Sequence, residues 1–227
     1  MGVPSATTAV LIPALNAESS LAELVHRLRA AIGAAEIVVV DDGSTDRTNE
    51  VAGSVGAVVL RHAGNRGKGA ALQTGFEYLR TQPGIDFIVT MDADLQHAPE
   101  DVPKFFLLQQ RTDADIVIGW RERIGTRMPV HRRLSNSVTS ALVGIKAGVP
   151  IKDSQCGFRL LRRSVMEHVQ IESAGYEAET EFLIKAARRG YQIEFVPVQT
   201  IYGTEKSYMT HWATTVNFIK VILRNYE

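Results

Sequence analysis

Short apolar runs rich in β-branched residues alternate along the chain with segments whose apolar residues recur at helical spacing. This alternation is typical of βα units around a mainly parallel sheet, so we predict an α/β fold with one such sheet flanked by helices. Residues 121–157 are less regular, and we assign the sheet to an N-terminal half of about 120 residues. The predicted strands are residues 8–12, 36–40, 57–60, 87–91, 115–119 and 193–198.

The helices are predicted from apolar spacing and from the residues that end them. Between the first two strands, apolar residues recur every three to four positions from Leu21 to Ile32, and Gly33 indicates the end of that helix. Further helices are predicted after Pro99, from about residue 178 to residue 189, and over residues 211–226. The sequence contains no internal repeat, so we expect one domain over residues 1–227.

Polar and acidic residues directly follow three of the predicted strands, at residues 13–18, 41–46 and 92–97. In open α/β sheets the ligand crevice lies beyond the carboxyl ends of the strands. The 41–46 segment alone is equally typical of a helix cap, because Asp and Ser often cap helices. Three such segments at one edge of the sheet indicate a binding site.

The composition narrows the class of protein. Of 227 residues, 45% are hydrophobic and 22% are charged, as in a soluble globular protein. The 25 basic residues balance 25 acidic ones, so nothing in the overall charge indicates a nucleic-acid partner. A single cysteine excludes an internal disulfide, and we see neither a secretory signal nor an apolar run long enough to span a membrane. We therefore expect a cytoplasmic location.

Two carboxylates, Asp92 and Asp94, follow the apolar run at residues 88–91. Like charges this close repel each other unless a cation neutralises them. Carboxylate and amide oxygens, such as those of Asp92, Asp94 and Gln96, are ligands that Mg²⁺ or Mn²⁺ prefers, usually together with substrate phosphates. No Cys or His spacing indicates zinc. We therefore predict Mg²⁺ or Mn²⁺ as the cofactor, held by Asp92, Asp94 and Gln96.

A glycine-rich segment, GNRGKGAA at residues 64–71, follows a predicted strand and opens a helix. It lacks the spacing of a P-loop, so Lys68 either contacts a phosphate or is simply exposed. The Gly-x-Gly-x-x-Gly pattern is absent as well, which argues against a dinucleotide-binding oxidoreductase. A metal-bridged diphosphate is the interpretation that remains.

Five motifs cover nearly the whole chain: IPALNAE at 12–18, VVVDDGSTD at 38–46, RGKGAALQTGF at 66–76, MDADLQH at 91–97 and DSQCGFRLL at 153–161. In these motifs and their order the chain resembles glycosyltransferase family 2, within it the dolichol-phosphate mannosyltransferase and polyprenyl-phosphate glucosyltransferase branch. The resemblance implies a GT-A fold with a Rossmann-like sheet, a GDP- or UDP-linked sugar donor, a divalent metal and inversion at the anomeric carbon. Leu15 and Ala17 depart from the family signature, which leaves GDP or UDP open.

The resemblance also implies which residues bind the donor. Pro13 and the turn at residues 16–18 line the nucleotide pocket, and Asp41 or Asp42 binds the base or ribose. Asp92 lies near the ribose and metal, while a loop at residues 202–208 (YGTEKSY) resembles one that closes on the diphosphate. The donor-binding candidates are Pro13, Asn16, Glu18, Asp41, Asp42, Lys68, Asp92 and Lys206.

Five arginines and a single acid lie between residues 121 and 133. A solvated loop is one interpretation, and a phosphate site is the other, because Arg recognises phosphate in a bidentate manner. ADIVIGWRER at 114–123 resembles the family strand that leads to acceptor-phosphate arginines. We choose Arg121 and one of Arg132 or Arg133 for the acceptor phosphate.

Glu179 and Glu181 are predicted on one helix, and they bear on the acceptor class. In relatives that glycosylate a hydroxyl, an acid in this region acts as general base, whereas a phosphate acceptor needs none. Glu181 is equally well interpreted as a structural carboxylate. We take Asp94, Arg121 and Glu179 as the catalytic candidates, and Cys156 as a small buried residue rather than a nucleophile.

The leading hypothesis is an inverting, metal-dependent glycosyltransferase that moves a hexose from a nucleotide sugar to a polyprenyl or dolichyl phosphate at the inner face of the membrane. The alternative is a family 2 enzyme that acts on a hydroxyl of a saccharide or small molecule. A nucleotide-sugar binding module without activity is the hypothesis from another class. The helix predicted at residues 211–226 is typical of a packed helix and also suits the surface of a membrane.

Overall fold

The apolar runs of the sequence form one sheet. The computed structural model describes residues 7–33, 35–121, 130–199, 201 and 211–226, without the side chains of residues 130–134 and 211–214. In these residues the sheet has seven strands in the order β3-β2-β1-β4-β6-β5-β7. All six predicted strands are confirmed, with ends that shift by one or two residues. The strands are β1 (Thr8–Ala14), β2 (Glu36–Asp41), β3 (Val58–Arg61), β4 (Phe87–Thr90), β5 (Ile116–Arg121), β6 (Arg159–Arg162) and β7 (Ile193–Val198).

The strand that the sequence did not predict is β6, which lies antiparallel between β4 and β5. The other strand pairs are parallel, as expected. The assignment of the sheet to the N-terminal half is wrong, because β6 and β7 of the second half belong to the same sheet. Two consecutive leucines between two arginines give no alternating pattern, and Arg159 is itself buried.

Eight helices within the described residues surround the sheet. The predicted helix that Gly33 ends is confirmed, as are those after Pro99, near residue 178 and at the C-terminus. Residues 130–147 also form a helix, although four Ser or Thr residues and a glycine lower their helix propensity; packing against the helix at residues 178–188 compensates. The helices are α1 (Leu21–Ile32), α2 (Thr48–Ser54), α3 (Lys68–Thr81), α4 (Val102–Thr112), α5 (Val130–Ala147), α6 (Arg163–His168), α7 (Ala178–Arg188) and α8 (His211–Leu223).

The central strand β1 sets the position of α3 and its first residue, Lys68. Leu11 of β1 is fully buried, and a Cβ atom on Gly75 of α3 would lie only 2.2 Å from a methyl carbon of Leu11. This close contact brings the N-terminus of α3 to the carboxyl edge of the sheet. None of the helices in the described ranges has the length and hydropathy needed to cross a membrane.

Candidate active site

The three polar segments meet at one edge of the sheet, as the sequence predicts. The strands β2, β1 and β4 that precede them are parallel neighbours. The Ser20 hydroxyl donates a hydrogen bond of 2.7 Å to the carbonyl of Ala93, in the turn that carries Asp92 and Asp94. The amide of Asp42 donates to the carbonyl of Ala14 at 2.8 Å. Hydrogen bonds therefore join the first two segments directly and connect the third to Ser20, two residues after the first.

The first two segments are held together by side chains. The amide oxygen of Asn16 accepts hydrogen bonds from the backbone and hydroxyl of Thr45, and the residue has a left-handed backbone, with φ 51°. A carboxylate oxygen of Glu18 accepts from the backbone N–H of Arg47 at 3.0 Å. Pro13 lies one residue before the end of β1 and is partly buried. Asn16 and Glu18 thus fix the shape of the predicted nucleotide pocket.

Asp41 and Asp42 have different surroundings. Both oxygens of Asp42 accept backbone N–H groups, from Arg66 at 2.9 Å and Gly67 at 2.7 Å, and one also contacts the His62 ring at 2.6 Å. Asp41 is fully buried, and its Oδ1 accepts the Ser44 N–H. Within the described residues its Oδ2 has no hydrogen bond; the Arg61 guanidinium lies 3.3 Å away but is not aligned to donate. Asp42 therefore holds the loop before α3 in place. Asp41 keeps one carboxylate oxygen that can still accept a hydrogen bond.

Lys68 forms the centre of a buried ion cluster. Its ammonium group lies 2.6 Å from Asp92 Oδ1 and 3.0 Å from Glu179 Oε2. The sequence left open whether Lys68 is exposed, and it is not: its side chain is 13% exposed. The lysine therefore joins the first half of the chain to α7 in the second half.

The charges in this cluster stabilise one another. Burial alone would lower the pKa of Lys68, but Asp92 and Glu179 outweigh that effect and raise the pKa above its ordinary value. Burial alone would raise the pKa of Asp92, and Lys68 reverses that shift, so this pKa lies below its ordinary value. Lysine and aspartate are both charged at neutral pH.

Two residues of the DSQCGFRLL motif complete the surroundings of this cluster, and sequence reasoning assigned them no role. A Cβ atom on Gly157 would lie 2.8 Å from both Asp92 Oδ2 and Lys68 Nζ, so a larger residue there would displace these two charged groups. The buried guanidinium of Arg159 donates to the carbonyls of Ser154, Cys156 and Glu179. Both residues lie inside a motif that carries the family resemblance, and this membership was the one sign in the sequence that they belong near the site.

The predicted metal ligands share one turn. Asp94 Oδ1 accepts the backbone N–H of Gln96 at 3.0 Å, and Leu95 between them has a left-handed backbone, with φ 57°. In the described part of the chain, no three His, Cys, Asp or Glu side chains are close enough to hold a cation by themselves. Asp92, Asp94 and Gln96 supply oxygen atoms of the type that fits Mg²⁺ or Mn²⁺, with the other ligands left to substrate and water.

Arg121 makes a bidentate ion pair that the sequence did not predict. Its guanidinium donates to both oxygens of Asp153, at 2.8 and 3.0 Å. Burial would raise the pKa of Asp153, but the hydrogen bonds from Arg121 hold this pKa below its ordinary value. Arg121 thus links the end of β5 to the 153–157 segment. The side chains of Arg132 and Arg133, and Lys206 as a whole, lie outside the described residues.

Glu179 and Glu181 lie on α7, as predicted, but do different things. Glu181 is fully buried and accepts the backbone N–H groups of Glu172 and Ser173, so it is a structural carboxylate. Glu179 faces Lys68. Tyr176, which sequence reasoning missed, lies in the field of the same cluster: burial, with Asp92 and Glu179, raises its pKa above the ordinary value.

His97 and Cys156 lie beneath the Asp92 turn. Burial lowers the pKa of His97 to about 4, so the ring is neutral at physiological pH. Burial raises the pKa of Cys156 to about 12, and its sulfur lies 3.7 Å from the His97 ring. A thiol with this pKa is a poor nucleophile, in agreement with its prediction as a small buried residue.

Comparisons with known proteins bear on this arrangement. Residues 9–170 match Glycosyl transferase family 2. An undecaprenyl-phosphate mannosyltransferase of Micrococcus luteus is 33% identical, over 83% of this chain and 81% of its own length. A dolichol-phosphate mannosyltransferase of Pyrococcus furiosus is 34% identical over 78% of this chain, which matches 52% of that protein.

A solved structure shares the architecture. Glucosyl-3-phosphoglycerate synthase from Mycobacterium tuberculosis, in complex with Mn²⁺, uridine diphosphate and phosphoglyceric acid, superposes with a TM-score of 0.75. Its sequence is 23% identical, and the match covers 96% of this chain and 77% of that one. The likeness shows the GT-A fold that the sequence resemblance implied. With its motifs, its fold and a family match over most of its length, the chain belongs to glycosyltransferase family 2.

Proposed function

We propose that the chain is an inverting, metal-dependent glycosyltransferase that moves a hexose from a UDP- or GDP-linked sugar to a polyprenyl phosphate. The observation that carries this proposal is the buried cluster of Lys68, Asp92 and Glu179. It lies where the donor loops meet the second half of the chain, so donor and acceptor groups would meet there. Two relatives support the choice of acceptor, because their names describe mannosyltransferases that act on undecaprenyl phosphate and dolichol phosphate.

The donor side of the proposal rests on the three loops. Asp41 Oδ2 is a buried acceptor without a hydrogen bond in the described residues, which suits an N–H of the base or a hydroxyl of the ribose. Pro13, Asn16, Glu18 and Asp42 would shape the pocket around it. Lys68 would turn from Asp92 toward the donor diphosphate.

Asp92, Asp94 and Gln96 would hold Mg²⁺ or Mn²⁺. When bound, the metal would neutralise charge on the departing nucleoside diphosphate. A structural neighbour that binds Mn²⁺ and uridine diphosphate together supports the choice of ion. Inversion is proposed because a direct displacement needs no enzyme nucleophile, and Cys156 is too deeply buried to act as one.

The acceptor class is the finer part of the proposal. A phosphate arrives ionised and needs no general base, while a hydroxyl does. Glu179 is the candidate base, yet its carboxylate is engaged by the Lys68 ammonium group. This ion pair favours the phosphate acceptor. The hydroxyl alternative draws support from the neighbour that binds phosphoglyceric acid, a likeness of fold only.

A transfer assay tests the proposed function. Radiolabelled UDP- and GDP-hexoses are incubated with Mg²⁺ or Mn²⁺ and a short-chain prenyl phosphate, and the label extracted into organic solvent is counted. We expect acid-labile glycolipid with one of the nucleotides, and none with excess EDTA or with the matching prenol.

The variant Asp94→Asn should retain less than about a tenth of this activity, because a metal ligand loses its charge. Asp86→Asn, a change at an exposed carboxylate, is the matched control and should be fully active. Transfer that is equal with prenol, or that persists in Asp94→Asn, would contradict the proposal.

A further inference from the structure

His62 is a buried histidine to which the proposed function gives no role. It directly follows β3, and its side chain is 5% exposed. Its ring nitrogen Nδ1 lies 2.6 Å from Asp42 Oδ1, and Nε2 lies 2.9 Å from the hydroxyl of Thr74 on α3. A carboxylate has only acceptors, so Nδ1 donates to Asp42, and in a neutral ring Nε2 then accepts from Thr74. The ring therefore connects the residue after β2 to α3 through two hydrogen bonds.

The carboxylate that His62 contacts holds the glycine-rich loop before α3. Asp42 Oδ1 accepts the backbone N–H of Arg66 at 2.9 Å, and Oδ2 accepts that of Gly67 at 2.7 Å. These amide groups are engaged inside the protein, whereas the corresponding groups of a P-loop bind phosphate. Lys68 directly follows Gly67, so the direction of its side chain depends on how Asp42 holds this loop.

The second hydrogen bond of the ring reaches the helix that carries Lys68. Thr74 precedes Gly75, whose close contact with Leu11 seats α3 on β1. His62 therefore acts on both sides of Lys68: on the loop before it through the carboxylate, and on the helix after it through the Thr74 hydroxyl. Hydrogen bonds to charged groups contribute more than those between neutral groups, so the bond to the carboxylate is the stronger of the two.

We propose that His62 is a positioning residue for the donor diphosphate, which it serves by holding Lys68 in place. The Lys68 ammonium group lies 2.6 Å from Asp92 and 3.0 Å from Glu179. A displacement of about 1 Å would break these contacts, because donor–acceptor distances in hydrogen bonds lie within about 2.7–3.2 Å. The proposal deepens the proposed function and rests on it for the diphosphate, while the placement of Lys68 by His62 is independent of any substrate.

Two substitutions separate the two hydrogen bonds of the ring. An Asn side chain carries an N–H donor near the position of Nδ1, and a Gln side chain carries one near the position of Nε2. His62→Asn therefore keeps the bond to Asp42, whereas His62→Gln keeps only the contact with Thr74. We expect His62→Asn to resemble the wild type and His62→Gln to release the loop before Lys68.

Acetylation of lysines by limiting acetic anhydride, measured by mass spectrometry, reports the position of Lys68 without any substrate. The side chains of Lys68 and Lys185 are 13% and 10% exposed, and that of Lys104 is 51% exposed. Lys185 therefore reports general opening of the fold, and Lys104 is the reference for the reagent. In His62→Gln, Lys68 should react about tenfold faster than in the wild type or in His62→Asn, with Lys185 unchanged. Equal Lys68 rates in all three proteins would overturn the proposal, as would a rise shared by Lys185, which would show that His62 only stabilises the whole fold.

Calorimetry with Mg²⁺ and with UDP or GDP, each compared with its monophosphate, extends the test to the donor. His62→Gln should bind the diphosphate about tenfold more weakly and the monophosphate equally well, because Lys68 is displaced while the rest of the pocket remains. Tyr78→Phe is the matched control: it removes a hydrogen bond of 3.0 Å to Glu36 from the same helix and should change neither affinity.

The outcomes distinguish the two proposals. A wild-type chain that binds neither diphosphate would contradict the proposed function, and the acetylation rates would still test the placement of Lys68 by His62. Diphosphate binding by the wild type that is unchanged in His62→Gln would overturn the role of His62 alone. An equal loss for diphosphate and monophosphate would also overturn it, because the effect would then lie at the base or ribose.

Discussion

Lys68 lies buried with its ammonium group between two carboxylates, and removing water from three charges is costly. The cluster is stable because each charge has a partner. The same arrangement places a carboxylate, Asp92, where a metal is proposed to bind and an ammonium group, Lys68, where a diphosphate is proposed to bind. A single side chain is therefore expected to affect both the stability of the fold and the proposed donor site.

Replacing Lys68 tests this double role. Lys68→Met leaves Asp92 and Glu179 without their cation, and we expect a loss of about 3–5 kcal/mol in the free energy of unfolding. Mg²⁺ should restore more stability to this variant than it adds to the wild type, because Asp92 then lacks the cation that pairs with it directly. Denaturant unfolding with and without Mg²⁺ measures both effects.

Lys104→Met is the matched control, because Lys104 is half exposed and its buried partner Asp101 still accepts the backbone N–H of Gln199. Its cost should stay below about 1 kcal/mol, with no added response to Mg²⁺. An unchanged stability in Lys68→Met would show that the buried cluster contributes little.

Sequence reasoning predicted which segments meet at the candidate site better than it predicted the partners of their side chains. Asp41 and Asp42 are identical neighbours in the sequence, yet one retains a buried acceptor and the other holds the loop before α3. Arg121 was predicted as a phosphate ligand, and no local pattern indicated that Asp153, 32 residues away, would pair with it. Motifs identify which residues matter, while partners depend on contacts between distant segments.

Secondary-structure elements place these side chains through a few close contacts. The N-terminus of α3 rests on the 173–175 segment, where the Ala70 N–H donates to the Ala174 carbonyl at 3.1 Å. The Glu181 carboxylate holds the same segment from its other side, by accepting the Ser173 N–H at 2.7 Å. Strand β6 and helix α5 were missed because packing rather than local pattern stabilises them. Strands with long apolar runs were predicted from the sequence.

The contact under α3 leaves no space for a methyl group. A Cβ atom on Gly69 would lie 2.3 Å from the Ser173 carbonyl oxygen, so Gly69→Ala must push α3 and Lys68 away from α7. We expect a loss of about 2–3 kcal/mol in stability and a large fall in transfer activity. Gly53→Ala on α2 is the control: nothing lies within 4 Å of its added Cβ, and the better helix propensity should raise stability by about 0.5–1 kcal/mol. Thermal unfolding measures the stability of both variants. An unchanged stability in Gly69→Ala would contradict this account.

Glu181 makes the stability of the fold sensitive to acid. Burial would raise the pKa of Glu181, but Lys185 and the Ser173 N–H outweigh it, so the folded pKa lies below the ordinary value. The stabilisation is present above the unfolded pKa and is lost as the pH falls through the folded pKa. Glu181→Gln should be less stable by about 2–3 kcal/mol at pH 7 and should approach the wild type in acid. Urea unfolding across pH 3 to pH 7 measures the difference, and a constant gap would contradict the assignment.

At the scale of the whole molecule, the two halves of the chain form one sheet and one site. Strand β6 pairs with β4 on one side and β5 on the other, which places the DSQCGFRLL motif beside the Asp92 turn. The DSQCGFRLL motif was part of the family resemblance but was assigned no place in the site, and the apolar pattern suggested a sheet confined to the N-terminal half. Topology of this kind depends on pairings between residues some 70 positions apart, such as Ile88 with Leu161, and local patterns do not encode them.

The central claim is a glycosyl transfer to a phosphate, and two variants assayed side by side test it most directly. Transfer from the nucleotide sugar to a short-chain prenyl phosphate is measured for Glu179→Gln and Arg121→Ala, with donor affinity from calorimetry as the check that each variant is folded. We expect Glu179→Gln to stay within about tenfold of the wild type, because an ionised acceptor needs no base. Arg121→Ala should lose about 30-fold or more in kcat/KM, with donor affinity unchanged, because the acceptor side loses a buried charge. An inactive Glu179→Gln beside an active Arg121→Ala would contradict the account and favour the hydroxyl-acceptor alternative.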